Sequence, residues 1–238
     1  MSEGHAKQGE FDHIDTWIFD LDNTLYPAGC RLFDQIDVRM GAFISNLLQI
    51  DRDEARKLQK EYFFEHGTTM RGLMTNHNVA PDDFLSFVHD IDHSPIPENE
   101  RLSTALDALP GRKLVFTNGT VKHAEDVMAK IGISAHFDAI FDIKAADYIP
   151  KPRMVSYEIF LERDGVNPVN SAMFEDIIRN LEPSHQLGMT TVLVHDSDNE
   201  DGAMINKLNG DNHGVPHVHH VTHDLAEFLE GVVDADAT

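Results

Sequence analysis

Two acidic side chains, Asp20 and Asp22, stand one residue apart at the end of an apolar run in the stretch WIFDLDNTLYP, residues 17–27. A carboxylate can attack phosphorus if repulsion from the phosphate is suppressed, and a second one nearby can move a proton. The competing reading is a polar turn, since Asp and Asn are turn formers. Other apolar runs also end in reactive groups. KLVFTN (113–118) leads into Thr117-Asn118-Gly119, and AMFED (172–176) ends in Glu175-Asp176. Lys151 follows AIFDI (139–143) by a loop and precedes Pro152.

Together these groups have a coherent chemistry. Asp20 and Asp176 offer hard oxygen ligands of the kind a magnesium ion takes alongside a substrate phosphate. Lys151 adds a fixed positive charge. The Thr117 hydroxyl and nearby backbone N–H groups can hold phosphoryl oxygens. Asp22 can protonate a leaving oxygen and later deprotonate water.

Residues so far apart in sequence converge only if their strands lie side by side and point the same way. The runs TWIFD (16–20), KLVFTN, AIFDI, AMFED and TTVLVH (190–195) read as buried strands. Helical stretches VKHAEDVMAKIG, PRMVSYEIFLERDG and a shorter one near NLEPSHQLG separate the later ones. That alternation predicts an α/β fold with a doubly wound parallel sheet, whose carboxyl strand ends share one edge. Residues 31 to about 105 read as mostly helical. Leu32, Phe33, Ile36, Met40, Phe43, Ile44, Leu47 and Leu48 recur at spacings of three and four, and further helices are expected through DRDEARKLQKEYFFEHG and PDDFLSFVHDI. The expected organisation is a core of residues 12–27 and 106–232, interrupted by a helical cap at 28–105. Tails at 1–11 and 233–238 are expected to be disordered. Residues 196–214 are expected to form a long surface loop, and HVHHVTHDLAEFLEGV a last strand and helix. The histidines there (His213, His217, His219, His220, His223) lack a completing carboxylate or cysteine pattern for a metal.

Composition narrows the class. The 238 residues include 19 Lys and Arg against 41 Asp and Glu, a net charge of −22 with histidines neutral. This charge opposes non-specific binding to nucleic acid or anionic membranes, so an anionic substrate needs a metal or a local cation. No apolar run approaches the roughly 18–20 residues of a membrane span. The N-terminal stretch lacks a signal-peptide core, and the single Cys30 fits a reducing compartment; a cytoplasmic location is expected.

The motifs and their order resemble those of the haloacid dehalogenase (HAD) superfamily. DLDNTL resembles its first motif, FTNG its second, Lys151-Pro152 its third and FEDIIRNL its fourth, with Asn180 the downstream polar position. A helical insert after the first motif is similar to the family's C1 cap on a Rossmann-like core. The resemblance implies an aspartyl-phosphate mechanism. Asp20 would be the nucleophile and Asp22 the acid/base, with Lys151 also catalytic. Thr24, Thr117, Asn118 and Gly119 would line the phosphate. Magnesium would be held by Asp20, the Asp22 carbonyl and Asp176, with Glu175 touching it or supporting it.

Within the cap, LYPAGCRLFDQIDVRMGAFI, HGTTMRGLM and DFLSFVHDID resemble the pyrimidine 5′-nucleotidase branch. The implied substrate is a nucleoside 5′-monophosphate such as UMP or CMP. Gly119 stands where that branch often has alanine, and Ile177 where serine is commoner. Arg71 is the first candidate for substrate contact, with Tyr26, His77 and His89 behind it. The expected partner is a small phosphomonoester, with no nucleic-acid polymer and no membrane, for a monomer or homodimer. The alternatives are the same chemistry on phosphoglycolate, a sugar phosphate or a vitamin phosphate, and a non-catalytic regulatory protein on the same fold.

Overall fold

The computed structural model describes residues 9–195 and 215–236. Six parallel strands form one sheet: β1 (Thr16–Phe19), β2 (Arg112–Phe116), β3 (Ala139–Phe141), β4 (Ser171–Glu175), β5 (Thr190–Val194) and β6 (His220–Thr222). Their spatial order is β3-β2-β1-β4-β5-β6. The order reverses at β1, whose neighbours are β2 and β4, so a crevice opens beyond the carboxyl ends of these three strands.

The helices are α1 (Leu32–Leu48), α2 (Arg52–His66), α3 (Thr69–His77), α4 (Pro81–Val88), α5 (Glu100–Ala108), α6 (Val121–Ile131), α7 (Met154–Asp164), α8 (Ile178–Gln186) and α9 (Leu225–Asp236). Both sheet faces are covered, which is why the strands read as nearly unbroken apolar runs. Trp17, Phe19, Val115 and Phe174 pack toward α5, α6 and α9, while Ile18, Leu114, Phe116 and Met173 pack toward α7 and α8. The alternation along each strand thus feeds two separate cores. Gly111, with φ +82°, makes the turn into β2; a side chain there would collide with the Asp15 carbonyl.

Helices α1–α4 have a third core of their own, built from Ile36, Ile44, Tyr62, Leu73, Phe84 and Val88. Local chemistry starts these helices. The Asp51 side chain accepts hydrogen bonds from the backbone N–H groups of Asp53 and Glu54, both 2.9 Å, at the head of α2, and Pro81 opens α4. The insert touches the rest of the molecule at several points, among them Ile143, which joins its core, Arg179 Nη2, which donates to the Gly67 carbonyl, and His89, which stacks on His123 of α6.

Three boundaries differ from the sequence reading. Leu102, Ala105 and Leu106 of α5 belong to the sheet's core, so the insert ends before α5 and not at residue 105. Phe11, within the expected amino-terminal tail, is buried against Trp17 and Phe228. At the other end α9 runs on to Asp236 because its apolar face docks on the sheet. The surface-loop expectation for 196–214, including His213, lies outside the described residues, as do 1–8 and 237–238. No helix among the described residues is long and apolar enough to cross a membrane.

Candidate active site

Asp20 immediately follows β1, Thr117 follows β2 and Asp176 follows β4, so three adjacent strands deliver them to one spot. The backbone extends the register past the last paired residues: Asp20 N–H donates to the Phe174 carbonyl and Thr117 N–H to the Phe141 carbonyl. Lys151 arrives from the loop after β3 with its ammonium fully buried. It donates to Asp20 Oδ1 at 2.7 Å, to Glu175 Oε1 at 2.8 Å and to the Phe116 carbonyl at 2.8 Å. All three of its hydrogens therefore have acceptors.

Asn118 sets this loop. Its Oδ1 accepts from the Lys151 backbone N–H at 2.8 Å and its Nδ2 donates to the Lys151 carbonyl at 3.3 Å. The turn it belongs to ends at Thr120, whose hydroxyl caps α6 by accepting from His123 N–H. Thr117 Oγ1 accepts from Gly119 N–H at 2.9 Å. A strand end, a hydroxyl and a helix amino terminus thus meet in a few residues, an arrangement suited to an anion.

The carboxylates are unevenly treated. Asp20, Glu175 and Asp176 are all buried, and ligand oxygens from the three lie within 4.8 Å of one another. Burial pushes Asp20 up to about 7, with Lys151 opposing the rise and Glu175 adding to it. Burial and then the Glu175 charge raise Asp176 well above the carboxylate range. Burial works against the Lys151 charge, yet Asp20 and Glu175 hold its pKa above that of a free lysine. Asp22 goes the other way. Burial would raise it, but His123 and the Tyr26 hydroxyl hold its carboxyl below the usual range.

A cavity lies over these strand ends, walled by the insert. Its floor includes Asp20, Asp22, Thr117, Asn118, Gly119, Lys151, Glu175 and Asp176. Its far wall is largely apolar, with Phe33, Met40, Phe63 and Phe84, and carries Asp37, Gln59, Lys60 and His89 as polar groups. Thr24 and Arg71 do not line it. The Thr24 hydroxyl is buried beneath the turn after β1 without a hydrogen-bond partner. Thr68, which caps α3, lines the cavity together with Thr69 and Met70, and Arg71 is not among the lining residues. His77 is held within the insert by the Tyr62 hydroxyl at 2.5 Å. Tyr26 reaches the site through Asp22, at 2.6 Å.

The sequence reading did not include His123, Gln59, Lys60 or Asn23. Asn23 sits at φ 59°, a conformation asparagine tolerates, and its Nδ2 lies 3.5 Å from Asp176 Oδ2. Thr120, ahead of a helical run, is the sequence feature that could have marked where α6 begins and so led toward His123. Near the carboxyl end of the chain, His219 Nδ1 accepts from Thr191 N–H and its Nε2 lies 3.1 Å from His185 Nδ1. Among the described residues the metal-competent acidic or histidine cluster is Asp20, Glu175 and Asp176.

Known proteins share this architecture. The chain is 28% identical over 195 residues to "Phosphate metabolism protein 8" of Saccharomyces cerevisiae. The match takes in 74% of this chain but spans 60% of that relative's length. A HAD phosphatase from Thermococcus onnurineus superposes with TM-score 0.62 at 16% identity, covering 94% of this chain and all of the other. The L-2-haloacid dehalogenase of Xanthobacter autotrophicus with chloropropionic acid covalently bound gives TM-score 0.55 at 14% identity, covering 93% and 97%. Such distant structures speak to the fold alone. Residues 14–188 match the model of the haloacid dehalogenase-like hydrolases, a segment that holds Asp20, Thr117, Lys151 and Asp176, and the chain belongs to that hydrolase family.

Proposed function

We propose that the protein is a magnesium-dependent phosphomonoesterase acting on nucleoside 5′-monophosphates, pyrimidine ones first. The observation that carries the reaction is the buried Lys151 ammonium bonded to both Asp20 and Glu175 beside Asp176, Thr117 and the start of α6. A buried site with more carboxylates than cations, facing a cavity, suits a cation and a phosphate together.

The donor set fits magnesium, since it is all hard oxygen and one oxygen each from Asp20, Glu175 and Asp176 lies within 4.8 Å of the others. Asp20, Asp176 and the Asp22 carbonyl would hold the ion. Both Glu175 oxygens already accept hydrogen bonds, Oε1 from Lys151 and Asn180 and Oε2 from Ile177 N–H, which favours a supporting role for it. The ion, when bound, neutralises phosphate charge so that an anionic nucleophile can approach.

In this reading Asp20 attacks phosphorus with a carboxylate oxygen, and the bond to the ester oxygen breaks. Asp22 gives that oxygen a proton, then takes one from the water that hydrolyses the aspartyl phosphate. Lys151 orients Asp20, and Thr117 with the Asn118-Gly119 backbone receives the phosphoryl oxygens. The apolar wall with its few polar groups favours a heterocycle over a bare sugar phosphate or phosphoglycolate. The name of the yeast relative, a phosphate metabolism protein, agrees with the reaction class. The test is phosphate release across a panel of phosphorylated metabolites with magnesium present. A clear preference for pyrimidine nucleotides supports the full reading; preference for another small phosphate would overturn the substrate and keep the chemistry.

A further inference from the structure

Asp22 is held unlike the other carboxylates of the site. Lys151 does not reach it. Its Oδ1 instead accepts two hydrogen bonds, from the Tyr26 hydroxyl at 2.6 Å and from His123 Nε2 at 2.9 Å. Tyr26 is 2% exposed and His123 1%, so neither can be replaced by bulk water. Tyr26 belongs to the turn after β1, while His123 comes from α6, 101 residues beyond Asp22.

We infer that Tyr26 and His123 are positioning residues that fix Asp22 through Oδ1 and reserve Oδ2 for the proton delivered to the leaving oxygen, an inference that rests on the phosphatase reading above. Oδ1 is an acceptor whether Oδ2 is bare or carries the proton, so Nε2 of His123 and the Tyr26 hydroxyl are the donors. Nδ1 of the same ring is buried without a hydrogen-bond partner, so Asp22 is the ring's hydrogen-bonding contact. Burial and the Asp22 charge keep the Tyr26 hydroxyl protonated, so it too remains a donor.

The His123 ring is itself held in place. His89, at the end of α4 in the insert, stacks on it with centroids 4.5 Å apart and planes 3° apart. On another side, a methyl added at Gly119 would stand 3.3 Å from His123 Cδ2 and 3.9 Å from Asp22 Oδ2. The remaining oxygen therefore lies toward the Thr117–Gly119 turn, where the phosphoryl group is expected. When the phosphorus–oxygen bond breaks, its electron pair stays on the ester oxygen and the Oδ2 proton goes to that oxygen. The reverse transfer, from water to Oδ2, completes the cycle.

Leaving groups of different basicity test this directly. A nitrophenolate departs without a proton, whereas the alkoxide of a nucleoside needs one. The full-length chain, with magnesium, is assayed on p-nitrophenyl phosphate and on a nucleoside 5′-monophosphate. Tyr26→Phe and His123→Leu are expected to lower the alkyl-to-aryl ratio of kcat/KM by about tenfold or more, through kcat, since proton transfer contributes at most about 10⁴-fold. His123→Gln, whose amide can donate in place of Nε2, should recover part of the loss. Equal losses on both substrates, or no change in the ratio, would overturn the inference. If His123→Leu does not fold, Tyr26→Phe, which removes one hydroxyl, decides. A wild-type chain inactive on every phosphomonoester removes the phosphatase reading, and this inference with it.

Discussion

Lys151 Nζ and Asp20 Oδ1 lie 2.7 Å apart in the interior although 131 residues separate them in the chain. The same ammonium bonds Glu175, with Asp176 beside it. One lysine cannot compensate three buried carboxylates, and the imbalance shows as the upward displacement of Asp20 and Asp176, driven first by burial. A site left with surplus negative charge in low dielectric is built to be completed from outside.

Replacing Asp20 by Asn separates chemistry from folding. The amide has nearly the same shape, and Lys151 keeps Glu175 and the Phe116 carbonyl as acceptors. An amide does not attack phosphorus, so turnover should fall by about three orders of magnitude or more, with the melting temperature little changed. Phosphate release and a thermal melt on the same sample check this. Near-normal turnover would remove Asp20 as the nucleophile.

Magnesium should stabilise the fold as well as activate it. A ligand that binds only the native state adds stability that grows with its concentration, about 2.7 kcal/mol at a hundred times its dissociation constant. Thermal melts are expected to shift upward with magnesium and to return with EDTA. Asp176→Asn should blunt that shift. A melt indifferent to the ion would argue against a site at Asp20 and Asp176.

His89 makes the fold sensitive to acid in a defined window. Burial first, and then the neighbouring His123, lower it from 6.5 to about 3; His93 adds to the effect and Asp22 opposes it. The folded state thus keeps His89 neutral while the unfolded chain protonates it below pH 6.5. Stability from this group is full above 6.5 and is lost as pH falls toward 3, at up to about 1.4 kcal/mol per pH unit. Urea midpoints at pH 7 and pH 5 should fall further for wild type than for His89→Gln. Parallel losses in the two proteins would show that His89 does not titrate this way.

Much of this was legible because α/β cores advertise themselves. The five main strands fall within a few residues of their apolar runs, since both faces are buried and no alternation blurs them. The structure gathers Asp20, Asp22, Thr117, Lys151 and Asp176 around one cavity, and their places just beyond a strand or at the end of its connecting loop are visible in the sequence. What was not readable depends on helix packing. Arg71 was the first candidate for substrate contact, yet its neighbours Thr68, Thr69 and Met70 line the cavity and it does not. His123 meets Asp22 only once α6 lies over β1, and nothing in a single sequence states that contact. The insert's end was misjudged because α5 has a helical pattern like its predecessors, while its apolar face docks on the sheet.

Gln59 is the most informative probe of substrate choice. It is 4% exposed and lines the cavity wall on α2, with Nε2 donating to Asp37 Oδ1 at 2.6 Å and Oε1 without a partner. A buried acceptor left unpaired disfavours ligands that cannot donate to it. A heterocycle offering an N–H to this amide, seated among Phe33 and Phe63, would use it. Gln59→Leu should therefore lower kcat/KM for the nucleotide proposed above by about tenfold, while p-nitrophenyl phosphate, which has no ring N–H to donate, changes little. A uniform drop across substrates would mean that Gln59 serves only to join α1 and α2, and the base would have to be read elsewhere on the insert.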